Sequence, residues 1–140
     1  MIDQLLDQTK ARLEALGIFN DHLTAADIAG IEEVQQQTPA VSIIYGGLQI
    51  TDNAQNGKAA KVSDRVGIVI TERFNEYDAA TLYARTAPLI EQTIAHLMGW
   101  TPDGYTNHLT LAGAPEPLFT QEGFAYFPLE FDIARVIKAS

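Results

Sequence analysis

Apolar and polar residues alternate with the period of a β-strand along two long stretches of the chain. The last stretch, residues 123–137, has Glu130 and Asp132 on one side, and we expect it to bury a set of apolar residues: Phe124, Phe127, Leu129, Phe131 and Ile133. The other, residues 61–73, ends in the apolar run Ile68-Val69-Ile70, which predicts a central strand. Pro128 predicts that the last strand lies at an edge of the sheet or contains a bulge.

Three stretches favour helices instead. At the start of the chain, residues spaced for one helix face precede Gly17, a residue well suited to end a helix: Ile2, Leu5, Leu6, Leu13 and Leu16. Thr24 and Asp27 resemble the start of a short second helix. A long helix is predicted from an N-cap at Asp78 to Gly99, with a buried stripe of Leu82, Tyr83, Ile90, Ile94, Leu97 and Met98. Pro88 either kinks this helix or lies in the first turn of another that Thr86 caps.

Two more strands complete the predicted fold. Residues 40–45 form one, which breaks at Gly46-Gly47 and continues through Leu48 and Ile50 past a bulge; residues 107–113 form the other. The polar sequence DNAQNGKA at 52–59 predicts a surface loop. The order α, α, β, β, α, β, β therefore predicts a single α+β domain over residues 1–140. Its sheet is four-stranded and mainly antiparallel, with the N-terminal and long helices on one side.

Composition excludes several classes of protein. The 140 residues include no cysteine, which removes disulfides, thiolate metal ligands and cysteine nucleophiles. A net charge of −9 argues against nucleic-acid binding, because that function needs a basic surface. No secretory signal is visible, and no apolar run is long enough to cross a membrane. We expect a protein of the cytoplasm.

The residues that could carry chemistry do not form a catalytic pattern. His22, His96 and His108 have no metal-ligand spacing, and the Gly46-Gly47 pair lacks the spacing of a phosphate-binding loop. Glu130 and Asp132 lie on one face of the last strand, where an enzyme or ligand-binding domain could use two carboxylates. The more frequent arrangement is a solvated or subunit-facing strand surface. We therefore predict no enzyme and no cofactor, with a small enzyme or ligand-binding domain using Glu130 and Asp132 as the alternative.

Charge is unevenly spread along the chain. Residues 1–33 contain seven acids against two bases, and residues 58–85 contain five bases against four acids. Two such segments could meet between subunits. Because polar hairpin loops are exposed and often carry binding function, the predicted interface is built on the loop at 52–60 and the strand that follows: Asp52, Asn56, Gly57, Lys58, Lys61 and Arg65.

The layout of the whole chain resembles that of a known family. An amphipathic N-terminal helix precedes TPAVSIIYGG and a polar hairpin, followed by VGIVITERF, a long helix ending in HLMGW, and a closing FAYFPLEFDIA. This is similar to the small tail-completion proteins of Mu-like phages and prophages. It is also similar in layout to the tail terminators of long-tailed phages, the minor tail protein U type.

The resemblance implies a structural protein without catalytic residues. Tail terminators cap the growing tail tube, stop its polymerisation and present a joining surface to the head. They are usually hexameric rings in the assembled tail. The implied partners are further copies of the chain, the tail tube protein and a head-completion protein. The implied location is the host cytoplasm and then the virion tail. A head–tail connector or a baseplate part of the same particle is a third hypothesis.

Overall fold

A computed structural model describes residues 1–24, 37–74 and 79–140. Its elements, numbered here in chain order, are two helices and six strands, with a short 3₁₀ turn, Gln55–Gly57, between the second and third strands. They are α1 (Ile2–Leu16), β1 (Asp21–Thr24), β2 (Ala40–Ala54), β3 (Ala59–Arg73), α2 (Ala79–Leu97), β4 (Thr110–Gly113), β5 (Leu118–Phe119) and β6 (Phe124–Lys138).

The strands form one mixed sheet in the order β1-β2-β3-β6-β4, with β5 also paired to β6. The α+β class is confirmed, and the four predicted strands are present as β2, β3, β4 and β6. A purely four-stranded sheet is wrong, because β1 adds a parallel strand beside β2 and β5 adds a two-residue strand beside β6. Both additions are too short to produce an alternating pattern in the sequence.

One face of the sheet forms the core with the helices. Along β3 the residues that face the core are Val62, Asp64, Val66, Ile68 and Ile70, all buried. The same alternation on β6 buries Leu129, Phe131 and Ile133 and leaves Glu130 and Asp132 on the other face, as predicted. The central position of β3 is also confirmed, since it pairs with β2 on one side and β6 on the other.

Helix α1 has the predicted extent, and Leu5 and Leu13 of its predicted face are buried, whereas Ile2 is 37% exposed. It ends at Leu16, and Gly17 adopts a left-handed conformation with φ 73°, which costs glycine little because it has no Cβ. The predicted second helix lies outside the described residues apart from Thr24, the last residue of β1. The predicted N-cap at Asp78 also lies outside them.

Helix α2 continues through Pro88 as one element. The predicted buried stripe is partly wrong, because Tyr83 is 48% exposed and Met98 55% exposed. The fully enclosed side of this helix instead includes two threonines, Thr86 and Thr93. The Thr93 hydroxyl donates to the carbonyl oxygen of Leu89 at 2.7 Å, which satisfies a polar group that apolar spacing does not predict to be inside.

The predicted loop at residues 52–60 is wrong in extent. Strands β2 and β3 pair to Ala54 and Ala59, and the turn between them is only Gln55 to Lys58. Residues 48–58 are exposed on both faces, so no core selects apolar residues at alternate positions and the sequence has the composition of a loop. The predicted bulge after Tyr45 is confirmed, since pairing shifts register between Tyr45 and Gly47.

Pro128 lies in an interior strand, yet its local surroundings are those of an edge. It faces Val69 of β3 on one side. On the other side, β5 pairs with β6 before it, at residues 125–126, and β4 pairs after it, at residues 130–132. The strands on that side therefore leave a gap opposite Pro128, and the edge prediction holds only at this point.

Candidate assembly surface

The outer ends of three strands pair with one another and are largely exposed to solvent. We call this part, residues 47–63 with residues 134–138, the distal arm. The β6 end completes it, with Ile137 opposite Ala60 and Lys138 opposite Ala59. The backbone N–H of Ala139 donates to the carbonyl oxygen of Lys58 at 2.7 Å. The arm is therefore a three-stranded sheet segment and not a free loop.

The tip of the arm has a tightly specified backbone. Gln55, Asn56 and Gly57 have φ of 55°, 58° and 82°, all in the left-handed region. Asparagine and glycine adopt this region at low cost, which explains the Asn-Gly step. The N–H of Lys58 closes the turn by donating to the carbonyl oxygen of Gln55 at 3.1 Å.

Five of the six predicted interface residues lie together at this tip or beside it: Asp52, Asn56, Gly57, Lys58 and Lys61. Asp52 is the cross-strand partner of Lys61, and its carboxylate accepts a hydrogen bond from the Asn53 N–H at 2.8 Å. Lys58 and Lys61 are exposed and form no ion pair within the described part of the chain. Their charges are thus available to a partner.

The sixth residue, Arg65, lies at the base of the arm and is already engaged. Its guanidinium donates to both carboxylate oxygens of Asp132, at 2.9 and 3.1 Å, and lies 3.2 Å from Glu130 Oε2. The hydrogen bonds to Asp132 raise the pKa of Arg65 further. The carboxylates at 130 and 132 therefore both pair with one arginine, an arrangement that explains them as a structural ion-pair cluster.

The bulge in β2 makes room for this cluster. A Cβ on Gly46 would lie 2.7 Å from Cγ of Arg65, so only glycine fits beside the arginine stem. Gly47, with φ of 100°, completes the bulge. A shallow cavity of about 230 Å³ lies here, lined by Gly46, Gly47, Leu48, Gln49, Ser63, Arg65 and Asp132.

On the opposite face, a buried polar cluster joins the arm to the core. The Asp64 carboxylate is fully buried and accepts hydrogen bonds from the Arg135 guanidinium and, at 2.7 Å, from the Tyr45 hydroxyl. Burial and the hydrogen bond to Asp64 raise the pKa of Tyr45 to about 12. Burial also raises the pKa of Tyr105, whose hydroxyl has no hydrogen-bond partner within the described residues. The cluster fixes β6 against β3 where the arm begins.

Sequence reasoning missed Asp64 and Arg135 as partners and missed the β6 end as part of the arm. A signal for Asp64 is present, since it occupies an inward position between Val62 and Val66. The residues that follow Ile133 carry a weaker signal. They keep a strand composition, ARVIK, to Lys138.

The histidines lie far apart in sequence and structure. His22 is on β1, His108 precedes β4, and His96 is near the end of α2, with Nε2 at 2.9 Å from the carbonyl oxygen of Arg12. Across residues 1–24, 37–74 and 79–140, no three His, Asp or Glu side chains are grouped so that they could hold a metal ion. Neither helix of these segments has the length and apolar character of a membrane span.

A search of curated proteins found no match to the chain. The family model described as phage tail terminator protein matches residues 2–140, which is nearly every residue present. This match confirms the resemblance to phage tail terminators that the sequence showed. The chain belongs to the phage tail terminator family and is a structural phage tail protein.

Proposed function

We propose that this protein caps the end of the phage tail tube and stops its polymerisation, acting by subunit association without chemistry. The observation that supports this most strongly is the family match over residues 2–140. The partners are further copies of the chain, the tail tube protein and the head-completion protein. The protein acts in the host cytoplasm and then in the virion tail.

We infer that the copies form a closed ring, a hexamer in the assembled tail, and that the distal arm is a contact surface. The β2 part of the arm is exposed on both faces, and the arm carries four partly exposed large apolar side chains: Leu48, Ile50, Val136 and Ile137, which are 41, 61, 51 and 43% exposed. Exposed apolar groups on the arm support a protein contact there. The interface residues are Asp52, Asn56, Gly57, Lys58 and Lys61, with Arg65 positioning the base of the arm.

Electron microscopy of tail tubes assembled with and without the protein tests the capping function. Tubes grown with the protein should stop elongating and should show additional density at one end. Tubes grown without it should continue to elongate. The proposal would be contradicted if, with the protein in excess over tube ends, the tubes carried no cap and were as long as tubes grown without the protein.

Self-association should weaken as salt rises if charged arm residues contribute to it. Exposed charges are screened over about 8 Å at physiological ionic strength, and over about 3 Å at 1 M. Sedimentation velocity across a salt series measures this directly. Association that is unchanged or stronger at high salt would show that the apolar side chains of the arm dominate the contact.

A further inference from the structure

A second exposed apolar group lies far from the distal arm. It consists of Leu118 and Phe119 on β5, which are 67 and 47% exposed. The Phe119 ring is held in place by an edge-on contact with Phe74, with the ring centroids 5.2 Å apart. With Glu116 and Glu122, which flank β5, we call this surface the β5 patch.

The β5 patch is acidic and the arm tip is basic. Residues 101–134 contain five acids and no lysine or arginine. Two of the acids, Glu130 and Asp132, are both paired with the same cation, Arg65. Glu116 and Glu122 are exposed and form no ion pair in the described segments.

At the arm tip, three exposed lysines surround a single acid, Asp52: Lys58, Lys61 and Lys138. Beside the β5 patch lies one arginine, Arg73, whose guanidinium is 4.9 Å from the centre of the Phe124 ring, so the two exposed acids still leave the patch with negative charge. The two surfaces therefore have opposite charge, and both present exposed apolar side chains. These are the properties expected of two surfaces that bind each other.

One molecule cannot bring its own two surfaces together. On β6, Ala125 pairs with β5, whereas Lys138 pairs with the arm at Ala59. Thirteen residues of extended strand separate these points, a span of about 43 Å at ~3.3 Å per residue. The arm tip and the β5 patch thus lie at opposite ends of the sheet, so the tip can meet such a patch only on another copy.

We propose that the distal arm of one copy docks on the β5 patch of a second copy of this chain. The lysines at 58 and 61 face the acids at 116 and 122, and the arm's apolar side chains cover Leu118 and Phe119. The contact is heterologous, since each copy contributes a different surface, and repetition of such a contact generates a ring when the rotation closes. This inference rests on the proposed function, because it identifies the surfaces that join the subunits.

Paired charge reversals test this contact. An arm variant carries Lys58→Glu and Lys61→Glu, and a patch variant carries Glu116→Lys and Glu122→Lys. Alone, each places like charges at every contact and should associate at least tenfold more weakly than the wild type at low salt. Mixed one to one, they restore opposite charges at every contact between unlike copies, and sedimentation velocity should show association recovered to the wild-type level.

A matched control separates this effect from net charge. The variant Glu14→Lys with Glu91→Lys makes the same charge change as the patch variant on exposed helix positions and should associate like the wild type. If the arm and patch variants associate as strongly as the wild type, the inference is overturned, and the proposed capping function is unaffected. Capping is measured separately, by tube length with the unaltered protein.

Cysteine cross-linking decides the matter if the free protein stays monomeric. The chain has no cysteine, so single substitutions provide unique thiols. A mixture of Asn56→Cys and Gln121→Cys should give several-fold more mixed disulfide than a mixture of Asn56→Cys and Gln92→Cys, which places the second thiol on the exposed side of α2. Equal yields from the two mixtures would overturn the inference.

Discussion

The two halves of β3 have the same strand geometry but different surroundings. From Val66 to Ile70, the inward residues are fully enclosed between the sheet and the helices, and the chain there is committed to the core. From Ala59 to Ser63, the strand keeps both neighbours and still buries Ala59 and Val62, but the β2 residues beside it are exposed on both faces. Strand pairing is therefore the main support of the β2 part of the arm, and the exposed side chains there are free to serve a partner.

Truncation of a core residue should affect stability far more than truncation of an arm residue of similar character. Phe131→Ala removes a side chain that is 0% exposed and should lower the free energy of unfolding by about 3–5 kcal/mol. Ile50→Ala, at a position that is 61% exposed, should change it by no more than about 0.5 kcal/mol. Denaturant unfolding of both variants measures the difference. Equal losses would show that the arm is part of the cooperative core.

The boundary between the halves depends on Asp64. Asp64→Ala leaves the Arg135 guanidinium, whose side chain is 17% exposed, without its buried partner and should cost about 2–4 kcal/mol. The exposed arm acid offers a control, since Asp52→Ala should cost within about 0.5 kcal/mol. Thermal and denaturant melts distinguish the two. A cost below 1 kcal/mol for Asp64→Ala would mean that Arg135 finds water when its partner is removed.

The Tyr45 hydroxyl allows a pH-dependent test of the same boundary. Tyr45→Phe removes one hydrogen bond to a buried carboxylate and should cost about 1–2 kcal/mol at pH 8. The folded pKa of about 12 lies above the value of 10.0 expected when unfolded, so the unfolded chain loses this proton first. Wild-type stability should therefore fall from about pH 10 to pH 12, and its advantage over Tyr45→Phe should shrink across that range. If the free energies of unfolding of the wild type and Tyr45→Phe differ by the same amount throughout that pH range, the raised pKa is not due to Tyr45.

The smallest effect is expected on the face of the sheet away from the core. Glu130 lies 3.2 Å from Arg65 at a partly exposed site, and Asp132 continues to hold the arginine if Glu130 is changed. Glu130→Gln should therefore alter the free energy of unfolding by no more than about 0.5 kcal/mol. A loss above 1 kcal/mol in a denaturant melt would place the ion-pair cluster among the structural supports of the fold.

The sequence predicted the covered half of the molecule well because a core imposes its period on the residues. Phe131 and Ile133 could be assigned to the inward face, and Glu130 and Asp132 to the outward face, from alternation alone. The arm gave no such signal. With solvent on both faces, residues 52–59 have no reason to alternate, and their strand character depends on pairing with residues far along the chain.

The remaining errors have similar physical origins. Strand β1 is four residues long and pairs in parallel with β2, a contact that no local pattern encodes. Tyr83 and Met98 are apolar at helical spacing but face outward, while Thr86 and Thr93 are buried. The residues predicted for the interface lie together at or beside the tip except for Arg65, whose partners are 65 and 67 positions away in sequence and could not be identified from spacing.

The pairing of β3 with β6 along its full length also affects the order in which the fold can form. The hairpin of β2 and β3 is local, but Arg135 joins Asp64 across 71 positions, and the pairing needs β6 before the sheet is complete. At about 5–20 residues per second, the ribosome needs several seconds to make this span. During that time the second edge of β3 is open to other chains. Contacts of such long range also slow folding, so nascent copies have a window in which premature strand pairing competes with the native sheet.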